Sequence, residues 1–284
     1  MFDRDRPLAV LGAGTMGHGI AHAALTTGVQ VRLYDVTAAA LQRASAAIEA
    51  VVARQVERAT LTRHDGDALL ARLTTMLSVA EAVADAGVVI EAAPESVATK
   101  TALLAAVQAA APADAVVASN TSALSITELA AVFDQPGRMG GMHFFNPVHR
   151  MRLVEVVEAL DTSAETMATM IAVAQAMGKE TVRLKESPGF ITTRINALVG
   201  NEAFHMLQEG VASAADIDRA LKLGLNHPMG PFELVDLVGL DTRLSILQHL
   251  HRTLGEKFRP CPLLEQHVAE GRLGRKAGRG VYDY

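Results

Sequence analysis

The chain has 284 residues, half of them hydrophobic (50%), enough for one large domain or two ordinary ones. Its 26 basic and 31 acidic residues leave a net charge of −5, which argues against a general nucleic-acid or membrane-surface binder. A single cysteine, Cys261, excludes an intrachain disulfide and fits a reducing compartment, and no apolar stretch approaches the roughly 20 residues that span a bilayer. The opening MFDRDRP mixes both charge signs and runs into an apolar segment, so no signal or transit peptide is expected and the cytoplasm is the expected location.

Taken in chain order, residues 7–184 alternate short β-rich runs with Ala-rich helical stretches. PLAVLG (7–12) predicts a first strand, and GAGTMG follows it with Gly12, Gly14 and Gly17 in G-x-G-x-x-G spacing. In such a loop Gly12 permits the tight turn, Gly14 lets a pyrophosphate approach the backbone, and Gly17 lets the next helix pack on the sheet. Thr15 and Met16 lie at the start of that helix, whose free N–H groups suit a phosphate. VQVRLYD (29–35) predicts the second strand and ends in Asp35, about 20 residues past the loop, where an acid meets ribose hydroxyls. Asp35 would repel a 2′-phosphate and no Arg or Lys intervenes before Arg43, so NAD is favoured over NADP. A bare glycine pattern is often only a tight turn; here the strand, the helix and the acid agree on a dinucleotide site.

Further strands are predicted over VVIEAA (88–93), AVVAS (115–119), GMHFF (141–145), MRLVEVV (151–157) and ETVRLK (180–185), with helices over 37–58 and 99–111 between the earlier ones. This alternation predicts a parallel sheet with helices on both faces, an α/β fold of the Rossmann type. In the run from Met151 to Val157, Met151, Leu153, Glu155 and Val157 share one face. A carboxylate between Leu153 and Val157 needs a cationic or donating partner if buried, and His143 lies upstream as a candidate. The pair reads either as a structural link between strands or as a proton-handling unit. A metal site from His143, His149 and Glu155 is possible by residue type, but no tight ligand spacing supports it, and none is expected.

At KESPGF the pattern changes, and helices are predicted over 191–210, 212–225 and 233–255, followed by a GVYDY tail. The predicted division is a dinucleotide-binding domain, 1–186, and an all-α C-terminal domain, 187–284. Leu234, Leu237, Leu244 and Leu247 suggest an apolar stripe for association.

GAGTMGHGIA, SNTSALSI, GMHFFNPV, LVEVV, SPGF, LGLNHPMGPFEL and LGRKAGRGVYDY, in this order from Leu8 to Tyr284, resemble the 3-hydroxyacyl-CoA dehydrogenase family. The resemblance implies NAD-linked oxidation of an acyl-CoA substrate, short-chain by its nearest look, by a homodimer joined through the helical domain. It implies a catalytic set of His143, Glu155 and Ser122, the serine holding the substrate's 3-oxygen, and cofactor contacts at Glu95, Lys100, Asn146 and Lys276. Arg54 and Arg58 fall where short-chain members place lysines near the CoA phosphates, though basic residues on a helix are commonly just a solvated face. One position departs: where the family reads SPGF-x-x-N-R, this chain has Thr193, which keeps a hydroxyl but loses an amide. Asn196, one turn on, is a possible substitute, and the departure leaves open a hydroxy acid without CoA as substrate. A dinucleotide-binding protein without turnover is the remaining alternative, which the retained His143, Ser122 and Glu155 argue against.

Overall fold

A computed structural model describes residues 2–284 and divides the chain into two compact units, the first ending at Glu186 and the second running from Ser187 to Tyr284.

In the first unit eight strands form one sheet: β1 (Leu8–Leu11), β2 (Val31–Tyr34), β3 (Leu73–Met76), β4 (Val88–Glu91), β5 (Val116–Ser119), β6 (Met139–Phe144), β7 (Leu153–Glu158) and β8 (Glu180–Lys185). Their order is β3-β2-β1-β4-β5-β6-β7-β8, parallel throughout except that β6 and β7 pair antiparallel. The sequence did not announce β3. LTTM is short, its two threonines are exposed, and it lacks the apolar alternation that marks a strand. Pairing with β2, Val31 opposite Leu73, makes it a strand at the sheet edge. By contrast LAVL of β1 is buried at every position, as expected of a parallel strand covered on both faces.

The helices of this unit are α1 (Thr15–Leu25), α2 (Ala38–Glu57), α3 (Arg63–Leu70), α4 (Val79–Val83), α5 (Val97–Ala110), α6 (Ile126–Ala130) and α7 (Ala164–Ala176). α2 begins where Thr37 accepts the Ala40 N–H at 3.2 Å and buries Leu41, Ala44, Ile48 and Val52, one stripe at helical spacing. That stripe packs into a core with Leu8, Val10, Ile20, Leu33 and Ile90, where each fully buried large side chain is worth about 1.5–3 kcal/mol.

The second unit contains α8 (Thr192–Gln208), α9 (Ala214–Gly224), α10 (Pro231–Val238), α11 (Leu240–Leu254) and α12 (Pro262–Ala269). The single helix expected over 233–255 is two, because Gly239 adopts φ +106° and breaks the chain between α10 and α11. The core holds Phe204 and Phe232, ring centroids 5.2 Å apart and edge to face, with Leu247, Leu250, Phe258 and Leu264. Leu247 lies in this core while Leu237 is exposed, so the four leucines read as one stripe do not form a single surface. The GVYDY tail is no strand. Asp236, itself buried, accepts the N–H groups of Val281 (2.8 Å) and Tyr282 (2.9 Å) and the Tyr284 hydroxyl (3.0 Å), and the tail follows that carboxylate. Among the described residues no helix is long and apolar enough to cross a membrane.

Candidate active site

Strand order reverses beside β1, which has β2 on one side and β4 on the other; the crevice at the carboxyl ends of such strands is where open α/β sheets bind ligands. The glycine loop sits there. Gly12 has φ +109°, and a Cβ on it would come within 2.6 Å of the Ala92 carbonyl oxygen. A Cβ on Gly17 would overlap the Gly12 carbonyl, so α1 can lie this close only with glycine. Gly14 faces open space and caps α1 without a side chain, leaving the helix start, with Thr15 exposed and Met16 half-buried, accessible to an anion. Asp35 does more than sequence reasoning asked. Its Oδ2 accepts the Ala13 N–H at 2.9 Å and its Oδ1 the Thr37 N–H at 3.2 Å, tying the loop to the end of β2. Val36 and Leu77, just past β2 and β3, are exposed apolar side chains that periodicity could not single out.

His143 and Glu155 stand directly opposite each other on β6 and β7. Nδ1 of His143 is 2.7 Å from Oε2 of Glu155, and the residues are 5% and 1% exposed. A carboxylate only accepts, so Nδ1 carries a proton toward Glu155, and in the neutral ring Nε2 is the basic nitrogen. Nε2 is 3.1 Å from the Ser122 hydroxyl, and the Phe145 ring lies 4.6 Å from the imidazole. The structure thus brings together three residues separated by 21 and 12 positions in the chain.

Ser122 sits in the loop after β5, held mainly from β4 and its following turn. Glu95 Oε1 accepts the Thr121 hydroxyl (2.5 Å) and the N–H groups of Ser122 (2.9 Å) and Ala123 (3.2 Å). Asn120 accepts the Phe144 N–H at 2.8 Å, linking this loop to the strand that carries His143. Glu186 accepts the Ile126 N–H at 2.6 Å and contacts Thr127, capping α6 just beyond. Glu91 is not marked in the sequence, because nothing local identifies a strand-end carboxylate as the partner of Ser119, 28 positions away. Lys100 is 1% exposed, with its ammonium 2.7 Å from Glu91 and 3.5 Å from Glu95. It supports its neighbours from inside rather than presenting an open contact.

Asn146 is exposed in the loop after β6, preceding Pro147 through a cis bond. Arg54 lies in the last turn of α2 and Arg58 caps it, both exposed. His149 is exposed, edge to face with His22, and its protonation is disfavoured by desolvation and by Arg150, Lys179, Arg54 and His18, a gathering of positive charge. Among the described residues no three His, Cys, Asp or Glu side chains converge as a metal site. In the second unit, Thr193 and Asn196 are half-buried in the first turns of α8, three apart and so on one face. His227 is half-buried in the turn before α10. Lys276 is bound to both Asp241 oxygens at 2.6 and 2.7 Å.

Comparison with known proteins agrees with this geometry. Residues 7–187 match the model of the 3-hydroxyacyl-CoA dehydrogenase NAD binding domain, and residues 189–284 that of the 3-hydroxyacyl-CoA dehydrogenase C-terminal domain. A probable 3-hydroxybutyryl-CoA dehydrogenase of Bacillus subtilis is 44% identical over 98% of this chain and 97% of its own length. A 3-hydroxybutyryl-CoA dehydrogenase of Bradyrhizobium diazoefficiens is 43% identical over 98% and 95%. The crystal structure of (S)-3-hydroxybutyryl-CoA dehydrogenase PaaH1 from Ralstonia eutropha superposes with TM-score 0.95 at 42% identity, covering 99% of each chain. With both family models spanning the chain and a buried His–Glu pair at the end of the sheet, the chain belongs to the 3-hydroxyacyl-CoA dehydrogenase family.

Proposed function

We propose that the protein catalyses the reversible NAD-dependent oxidation of a short-chain (S)-3-hydroxyacyl-CoA, with 3-hydroxybutyryl-CoA as the expected substrate, to the 3-oxoacyl-CoA. The observation that carries this reading is the line Ser122 Oγ, His143 Nε2, His143 Nδ1, Glu155 Oε2, with contacts of 3.1 and 2.7 Å.

NAD, when bound, accepts the hydride from carbon 3. The chain handles the proton. The lone pair on His143 Nε2 takes it from the 3-hydroxyl as the C–H bond breaks, a general-base contribution of about 10²–10⁴-fold. Glu155 holds the tautomer in which Nε2 is the basic nitrogen and stabilises the imidazolium that forms. Ser122, beside Nε2, offers its hydroxyl to the same substrate oxygen. In reverse, the imidazolium returns the proton to the developing alkoxide. Gly12, Gly14, Thr15, Met16 and Gly17 suit the pyrophosphate, Asp35 the adenosine ribose, and exposed Val36 and Leu77 the adenine. Glu95 and Asn146 serve the nicotinamide end, and Lys276 is a further cofactor contact in this reading. For the CoA phosphates we favour Arg54, which lies among the positive charges around His149, over Arg58. Thr193 and Asn196 together supply a hydroxyl and an amide in place of the family's asparagine. A homodimer through the second unit is supported by its exposed Val211, Leu223, Leu225 and Leu237.

The test is consumption of NADH by the purified protein given acetoacetyl-CoA, with His143→Ala losing turnover while NADH affinity is retained. Absence of turnover on 3-oxoacyl-CoA of any chain length would refute the assignment. Indifference of the reaction to free CoA would favour a hydroxy acid without CoA instead.

A further inference from the structure

Two buried charges lie behind the site and take no part in the steps above. Glu91, the last residue of β4, is 0% exposed, and Lys100, on α5, is 1% exposed. Apolar residues of similar volume commonly serve stability as well as a buried ion pair does, so stability alone is a weak reason for this one.

The geometry around the ammonium is specific. Nζ of Lys100 is 2.7 Å from Glu91 Oε1, 3.1 Å from the Ala93 carbonyl and 3.5 Å from Glu95 Oε2. Each carboxylate then reaches the loop after β5 with its other oxygen. Glu91 Oε2 accepts the Ser119 hydroxyl at 2.5 Å, and that hydroxyl oxygen accepts the Thr121 N–H at 3.3 Å. Glu95 Oε1 accepts from Thr121, Ser122 and Ala123. One positive charge therefore joins two negative ones that hold the entry of the loop, at Ser119, and its tip, at Ser122. Remove the ammonium and two like charges remain, one of them with its side chain 43% exposed and able to turn toward water. Ser122 would lose the acceptor that fixes its backbone, and a displacement of about 1 Å at a reacting group can cost about 10²-fold in rate.

We propose that Lys100, seated on Glu91, is a positioning residue that acts through Glu95 to hold the Ser122 hydroxyl at His143, a role that rests on the reading of Ser122 and His143 given above. The test is a comparison of backgrounds. Ser122→Ala is expected to cost roughly 10²–10³-fold in kcat in the otherwise unaltered enzyme, as removal of one donor to a reacting oxygen does elsewhere. In the charge-neutral E91Q/K100M background, which keeps the volumes and the Gln oxygen for Ser119, kcat is already low and Ser122→Ala costs less than about tenfold more, since residues acting as a unit are strongly non-additive. A merely structural ion pair predicts the same Ser122→Ala factor in both backgrounds, and that result overturns the proposal. A loss of NADH affinity, measured by fluorescence titration, that accounts for the whole rate effect also overturns it. Should E91Q/K100M not fold, the same comparison in E95Q, which alters a partly exposed group, decides the matter: an undiminished Ser122→Ala factor there rejects the relay. Turnover of acetoacetyl-CoA by the unaltered enzyme is measured alongside. No turnover there rejects the dehydrogenase reading, whereas normal turnover with additive costs rejects only the positioning role of Lys100.

Discussion

Glu155 lies directly across the β6–β7 ladder from His143, with its Oε2 2.7 Å from the ring's Nδ1 and 1% of the residue exposed. The antiparallel register places the two side chains on one face, so the contact needs no loop to form it. Glu155→Gln should keep the fold but let the amide accept or donate, loosening control of the tautomer. We expect kcat to fall about 10²–10⁴-fold with NADH affinity little changed. Steady-state rates with acetoacetyl-CoA, beside an NADH fluorescence titration, check this; a variant with unaltered kcat would remove Glu155 from the mechanism.

Asp35 joins two tasks, since its carboxylate accepts the Ala13 N–H and stands where the ribose hydroxyls of NAD would meet it. Asp35→Asn should weaken NAD binding about 10–100-fold, the worth of a hydrogen bond to a charged group. It should also raise relative use of NADP, because the repulsion of a 2′-phosphate is gone. The ratio of kcat/KM for the two cofactors is the measurement, and an unchanged ratio contradicts the assignment.

Glu186 accepts the Ile126 N–H at 2.6 Å and the Thr127 N–H at 3.1 Å, adding to the local cap of α6, Ser125, which accepts the Glu128 N–H at 3.2 Å. Glu186→Ala should cost about 1–2 kcal/mol, as loss of a helix N-cap does, and lower Tm by a few degrees. Thermal unfolding followed by circular dichroism reads it directly.

His22 is buried, and burial pushes its pKa below 6.5, with His149, Lys179 and His18 acting in the same direction against a hydrogen bond that its ring donates to Gln55. A histidine depressed in the folded state binds protons more readily once unfolded. Its contribution, in which the His22 Nε2 N–H donates to the Gln55 amide oxygen, is therefore intact above about pH 6.5 and is lost as pH falls from there through the folded-state pKa. Tm should drop between pH 7.5 and 5.5, and His22→Gln should make that drop shallower. An equally steep drop in the variant would place the titrating group elsewhere.

Much of this protein is local and therefore legible in its residues. The glycine spacing, Asp35 at a strand end and the 3.6-residue stripe of α2 are short-range patterns, because tight turns and helix faces are decided within a few positions. The interrupted alternation at Glu155 also announced a buried carboxylate in need of a partner. What joins that carboxylate to His143, and His143 to Ser122, is strand register, which pairs residues by backbone hydrogen bonding between segments far apart in the chain. The same holds for β3, a strand by its pairing with β2 rather than by its composition, and for Gly239, whose positive φ divides a helix that periodicity would run through. Lys100 is the plainest case. Read alone it is an ordinary lysine on an amphipathic helix, where solvent is the default place for an ammonium. Only the packing of α5 against the sheet sets it between Glu91 and Glu95, since side-chain periodicity says which face a residue occupies but not what it will meet there.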